Sequence, residues 1–281
     1  MNSGSSISEY APFFSRRLNA MFLHPLLPSR QGMNTYGDIE SFVDGPEIDT
    51  APIGGVVQLA SLMHIFNALE MDQQAGYAQF FMREHFNADN STYTTSQDLI
   101  HTANSSITAI NYREEIPTAY FSSGMGLFFD RKNWQTDAAF LAFRGGQMGG
   151  IDHIHSDNGH FQFYRQGRWL THESISYDGS AAAAIGHSVM MLEGSEPYHN
   201  PLTSIGSANV VALSSQDDYS FVASDLTGAY QEDLDSSEKR YGSVQRALVW
   251  LKSVGTANTD ILVVYDLVND LDNAPANMSK T

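Results

Sequence analysis

The chain has 281 residues, 42% hydrophobic and 17% charged, enough for one large domain or two ordinary ones around a buried core. Its 32 acids against 15 bases give a net charge of −17, which argues against a nucleic-acid binder with a basic face and against electrostatic docking on anionic lipid. With no cysteine, disulfides, cysteine-ligated zinc, iron–sulfur clusters and thiol nucleophiles are excluded.

The opening segment MNSGSSISEY is polar and lacks the basic and apolar regions of a signal peptide. Both ends read as if cut from a longer sequence. Tyr10–His24 places Phe13, Phe14, Leu18, Met21 and Phe22 at helical spacing, closed by Pro25 and Pro28. A Gly/Pro/Asn/Asp-rich loop follows, then helices over Ile53–Leu69 and Asp72–His85, the second with Asp72 as its N-cap. Residues 87–112 are polar and carry no clear period. No apolar run approaches the ~18–20 residues of a membrane span.

From about Thr118 the hydrophobic period becomes two. AYFSSGMGLFFDRK, AAFLAFRGG, HFQFYRQGRWLTHE, NVVALSSQDDYSFVASDLTGAY, RALVWLKSV and DILVVYDLV all read as strands between Gly, Asp, Asn and Ser turns. No helical segments separate them, so the sheets are expected to be antiparallel and stacked as a sandwich. The expected organisation is α+β and multidomain, with a helical domain over 1–112 and a β domain over 113–281.

Five of the ten histidines fall between 153 and 187: His153, His155, His160, His172 and His187. On a strand, His153 and His155 project from one face. Around RQGR the chain can turn back as a hairpin, with Trp169, Thr171 and Glu173 sharing a face. His155, Glu173 and His187 then form a candidate zinc set of two imidazoles and a carboxylate, with Asp157 as a spare carboxylate. The alternative is a set of histidines hydrogen-bonded within a polar sheet face.

The string His153-x-His155-x-Asp157-x-Gly159-x-Phe161, followed by Tyr164, Gly167, a carboxylate near Tyr177, and His187, resembles the heparinase II/III-like polysaccharide lyases, which include oligoalginate lyases. The segments TYGDIESF at 35–42, YFSSGMGLFFDRKNWQTDAAFLAFRGG at 120–146, SDLTGAY, RALVWLK and ILVVYDLV are similar to that family's loop and sandwich strands. The resemblance implies the C-terminal part of an (α/α) toroid followed by an antiparallel β-sandwich, truncated at the C-terminus. It makes His153 the histidine beside the substrate carboxylate, and His155, Glu173 and His187 the ligands of a structural zinc. It makes Tyr36 or Tyr10 the candidate catalytic tyrosine. This sequence has Glu173 where an Asp is usual, and Ser188 where an Asn commonly follows the last histidine.

The implied chemistry is β-elimination on a uronic-acid polymer. A donor such as His153 neutralises the sugar carboxylate, a tyrosine removes the C5 proton, and an acid protonates the O4 leaving group. Tyr177 and Arg165 are candidate substrate contacts. Arg113, Arg131, Lys132, Arg144, Arg165 and Arg168 offer local basicity within an acidic chain. The expected partner is an anionic polysaccharide or oligosaccharide, with a homodimer as a candidate assembly and a periplasmic or extracellular location. Two rivals remain. One is a non-catalytic carbohydrate-binding protein of the same fold. The other is a cupin-like metalloenzyme, against which stand the long helical lead and the lack of a Glu soon after His155.

Overall fold

The computed structural model describes residues 7–29, 53–85, 106–124, 126–146, 156–171, 183–192, 208–230, 241–256 and 258–270. The chain divides into two compact units and passes from the first to the second between Tyr120 and Phe121.

The first unit is helical among its described residues. Helix α1 spans Ala11–Leu18 and runs directly into a π-turn over Asn19–Leu23, where the His24 N–H reaches back to the Asn19 carbonyl at 3.1 Å. Helix α2 spans Ile53–Ala68 and α3 spans Asp72–His85. Leu59, Leu62, Met63 and Phe66 of α2 are buried, the i, i+3, i+4, i+7 stripe of a core-facing helix, and Ala75, Ala78, Phe81 and Met82 of α3 are buried at i, i+3, i+6 and i+7. Phe22 meets Phe81 edge-on at 6.0 Å. The segment before Tyr112 crosses α3 at Gly76, whose carbonyl accepts the Ile110 N–H at 3.0 Å. A Cβ at Gly76 would lie 2.6 Å from the Ile110 side chain, so this crossing requires glycine. No described helix is long and apolar enough to cross a membrane.

The second unit holds two sheets, each a meander. One has strands β1 (Tyr120–Ser122), β2 (Leu127–Arg131), β3 (Phe140–Arg144), β4 (Phe161–Arg165) and β5 (Arg168–Thr171) in sequence order. The other has β6 (Asn209–Ser215), β7 (Tyr219–Asp225), β8 (Tyr241–Val254) and β9 (Thr259–Asp270). Pairing is antiparallel from β2 through β5 and from β6 through β9. Gln166 and Gly167, both at positive φ, make the tight turn between β4 and β5, at the RQGR position where the sequence anticipates a reversal.

Every residue of β2 and β3 is buried, which explains why LFFDR and FLAFR are nearly continuous apolar runs. Strand β7 instead alternates, with Ser220, Val222 and Ser224 inward. The sheets face one another through the row Asp130–Leu141–Phe163 and the row Phe128–Phe143–Phe161. Phe163 meets the fully buried Trp250 of β8 edge-on at 5.5 Å, and the Arg246 guanidinium lies over the Phe161 ring. Each such aromatic contributes about 1.5–3 kcal/mol by leaving water. A buried charge pair also crosses the interface: Lys252 Nζ lies 2.9 Å from Asp130 Oδ2, which accepts from Ser215 and Ser220 as well.

Candidate functional site

Two loops of the second unit meet above β8. The first is the turn from Ser156 to His160, between β3 and β4. Its shape follows from main-chain bonds: His160 N–H to the Asp157 carbonyl at 2.9 Å, Gly159 N–H to the Arg144 carbonyl at 2.8 Å, and Arg144 N–H to the His160 carbonyl at 2.9 Å. These bonds continue the β3–β4 ladder into the turn. Gly159 has φ +87°, and a Cβ there would lie 2.7 Å from Leu226, so the position needs glycine on two counts. Asp157 and Arg144 are fully buried and form an ion pair beneath the turn. Asp157 is therefore the partner of Arg144, a role that spacing alone does not reveal.

The second loop runs from Ala183 to Leu192. A 3-10 turn over Ala184–Gly186 ends at His187, whose N–H bonds the Ala184 carbonyl at 3.0 Å. Farther on, the buried Tyr230 hydroxyl donates to the Met190 carbonyl at 2.6 Å, and burial pushes the Tyr230 phenol above its ordinary pKa. Met190 packs with Ala208, Leu226, Tyr230, Tyr241 and Val244.

The loops join at two points. The Ser188 N–H donates to His160 Nδ1 at 2.8 Å, so that nitrogen carries no proton and the neutral ring holds its proton on Nε2. The His160 and His187 rings lie 5.3 Å apart, edge to face. Below them, Arg246 of β8 donates through Nη1 to the Gly159 carbonyl at 2.7 Å and to the Ser188 carbonyl. Its Nε and Nη2 pair with the two oxygens of Asp266, opposite it on β9, at 2.7 and 2.9 Å.

Of the residues picked from sequence, His187 stands in this arrangement. His153, His155, Glu173, Tyr177 and Tyr36 lie outside the described residues, as does His172. Tyr10 lies in the helical unit at the start of α1 and is 52% exposed. Arg165 is at the other end of β4 from His160, about 16 Å along the strand. There it pairs with Asp260 at 2.9 Å and bonds the Asn258 carbonyl at 3.1 Å, fastening the β8–β9 turn. Other members of the basic set are similarly engaged. Arg113 pairs with Glu84, Lys132 bonds Asn258 at 2.7 Å, and Arg131 lies over the Trp134 ring. Among the described residues, no group of three His, Asp or Glu side chains is placed to hold a metal ion.

Sequence reasoning passes over His160, Arg246 and Asp266. Arg246 carries a readable signal: it is a charged residue at an inward period-two position between the buried Val244 and Leu248, whereas Asp266 sits among exposed residues of β9 and carries none.

The two antiparallel sheets are compatible with the β-sandwich portion of a heparinase-like fold. The heparan sulfate lyase HepC from Pedobacter heparinus superposes with a TM-score of 0.54 at 14% identity, over 88% of this chain and 31% of that one. A heparinase III gene product superposes with a TM-score of 0.52 at 13% identity, over the same 88% and 31%. The chain thus spans about a third of the length of these structures, and at such identity the likeness concerns the fold alone. No protein-family model and no curated protein sequence matches the chain.

Proposed function

We propose that the protein is a polysaccharide lyase that cleaves uronic-acid-containing polymers, of the heparan or alginate kind, by β-elimination to 4,5-unsaturated products. The observation that carries this reading is the Asp157–Phe161 turn. Within the His153-x-His155-x-Asp157-x-Gly159-x-Phe161 string, Asp157 and Gly159 are buried anchors of a turn that faces the His187 loop. The heparinase-like fold around that turn supports the same reading.

In this proposal α1–α3 are part of an (α/α) toroid, and His153 lies beside the substrate carboxylate. As negative charge builds on that carboxylate during proton abstraction, the imidazole N–H stabilises it more than in the ground state. Tyr36 or Tyr10 takes the C5 proton, and Tyr177 contacts a sugar ring. His155, Glu173 and His187 hold a zinc ion; two imidazoles and a carboxylate suit that metal, and the absence of cysteine leaves it no softer ligands. The zinc, when bound, supplies a structural cross-link between loops. A polymeric substrate goes with a periplasmic or extracellular location.

The test is ultraviolet absorbance of the unsaturated product on a panel of heparan, heparin, alginate and other uronate polymers. Absorbance should rise with at least one of them. A flat trace on every polymer, from protein that is folded and zinc-loaded, would refute the lyase reading.

A further inference from the structure

We propose that Arg246, aimed by Asp266, is a positioning residue that fixes the separation of the His160 turn and the His187 loop. The loops are distant in sequence from their brace: Gly159 lies 87 residues from Arg246 and Ser188 lies 58. A single nitrogen, Nη1, bonds both carbonyls, so any shift of one loop relative to the other stretches or bends one of two bonds made by the same atom. The guanidinium cannot swivel to follow, because Nε and Nη2 are held by both oxygens of Asp266. Arg246 is 5% exposed, so water has little access to the guanidinium between the two loops, while the Asp266 carboxylate on its other side is 34% exposed.

The geometry selects arginine. Two carbonyls and a bidentate carboxylate lie around one planar fork, and a lysine ammonium at the same place is a point charge that cannot satisfy this set. The contrast with Lys252 is instructive. That residue also crosses between the sheets, but it bonds Asp130 and the Gln216 carbonyl, and neither belongs to the site loops. One buried cation therefore ties sheet to sheet, and the other ties the sheet to the two loops. The catalytic consequence of Arg246 rests on the lyase reading above; the mechanical role does not.

Amide hydrogen exchange on the full 281-residue chain tests it, with Arg246→Lys, Asp266→Asn and Lys252→Met compared. In Arg246→Lys, exchange at the Ser188 amide should quicken by roughly tenfold or more while the Leu248 amide in β8 keeps its protection. Asp266→Asn, which leaves the arginine but loosens its aim, should give a smaller change of the same kind. Lys252→Met should not change Ser188 relative to Leu248. In the active enzyme Arg246→Lys should lower kcat by ~10-fold or more with KM little changed, the scale of losing a supporting contact. If Ser188 exchange is unaltered in Arg246→Lys, or rises only in step with Leu248, the positioning role is wrong and Arg246 is a general structural cross-link. If the exchange pattern holds but no polymer is cleaved by the parent protein, the brace stands and the lyase reading falls.

Discussion

Arg144 and Asp157, thirteen residues apart, form an ion pair in which neither side chain reaches solvent. The pair stands where β3 gives way to the turn that carries the histidine string, so the turn is anchored by charge as well as by main-chain bonds. Two opposite charges out of water hold each other at little net gain, but one left alone is costly. Asp157→Ala should therefore destabilise the protein by about 3–5 kcal/mol, read from denaturant unfolding of the β unit. A loss below about 1 kcal/mol, the scale of an exposed pair, would contradict the buried geometry.

Gly159 and Gly255 both have positive φ but differ in surroundings. A Cβ at Gly159 would lie 2.7 Å from the fully buried Leu226, whereas among the described residues nothing stands within 4 Å at Gly255. Gly255→Ala should cost only the backbone strain, about 1–2 kcal/mol. Gly159→Ala should cost a further 1–3 kcal/mol or so for overpacking. Equal midpoint shifts in the two variants would show that Leu226 yields freely.

The helical unit has its own pH signature. The Tyr77 hydroxyl donates to Glu115 at 2.8 Å, and Gln73 donates to the same oxygen at 2.6 Å. The Gln73 bond first, then the Tyr77 bond, lowers the Glu115 carboxyl below its ordinary range. Burial, then the Glu115 bond, pushes the Tyr77 phenol up to about 12. The depressed Glu115 adds stability that is present above the ordinary carboxylate pKa and is lost as pH falls through the folded value. The raised Tyr77 adds stability that is present below the ordinary phenol pKa of about 10 and is lost as pH rises towards its folded value of about 12. Tyr77→Phe should flatten the alkaline limb of a Tm-against-pH curve and part of the acid limb. An unchanged curve would mean that this contact does not form in solution.

Much of this fold is legible in sequence because it follows from hydrophobic period. The three helical segments lie where their period of 3.6 places them, and the described strands after Thr118 fall within the runs read as strands, although β2 and β3 are unbroken apolar runs buried on both faces in place of the expected period of two. The π-turn at Asn19–Leu23 is not legible, since its apolar spacing continues that of α1. The site is less legible still. Asp157 reads as a spare carboxylate because spacing cannot reveal that Arg144 is buried against it. His160 reads as one histidine among five because its bond to Ser188 depends on a loop 28 residues away. Arg246 is legible only as a charge among inward apolar residues, and its partner Asp266 is not legible until register sets the two opposite each other.

His153 and His155 should separate by phenotype. With His153 as the donor to the substrate carboxylate, His153→Ala should lower turnover by ~10²-fold or more while zinc content and Tm stay near the parent values. With His155 as a ligand, His155→Ala should lose zinc, thermal stability and activity together. Metal analysis and melting curves beside the activity assay distinguish them. The roles are assigned wrongly if His153→Ala is the variant that loses zinc.

The most direct test of the account is the mass of the products released from a defined uronate oligosaccharide. β-Elimination breaks the C4–O bond by moving a proton from C5 and adds no water, so the two product masses must sum to the mass of the substrate. That sum is the predicted result, with the unsaturated residue at the non-reducing end of one fragment. Products that together exceed the substrate by one water would show hydrolysis and contradict the lyase assignment outright.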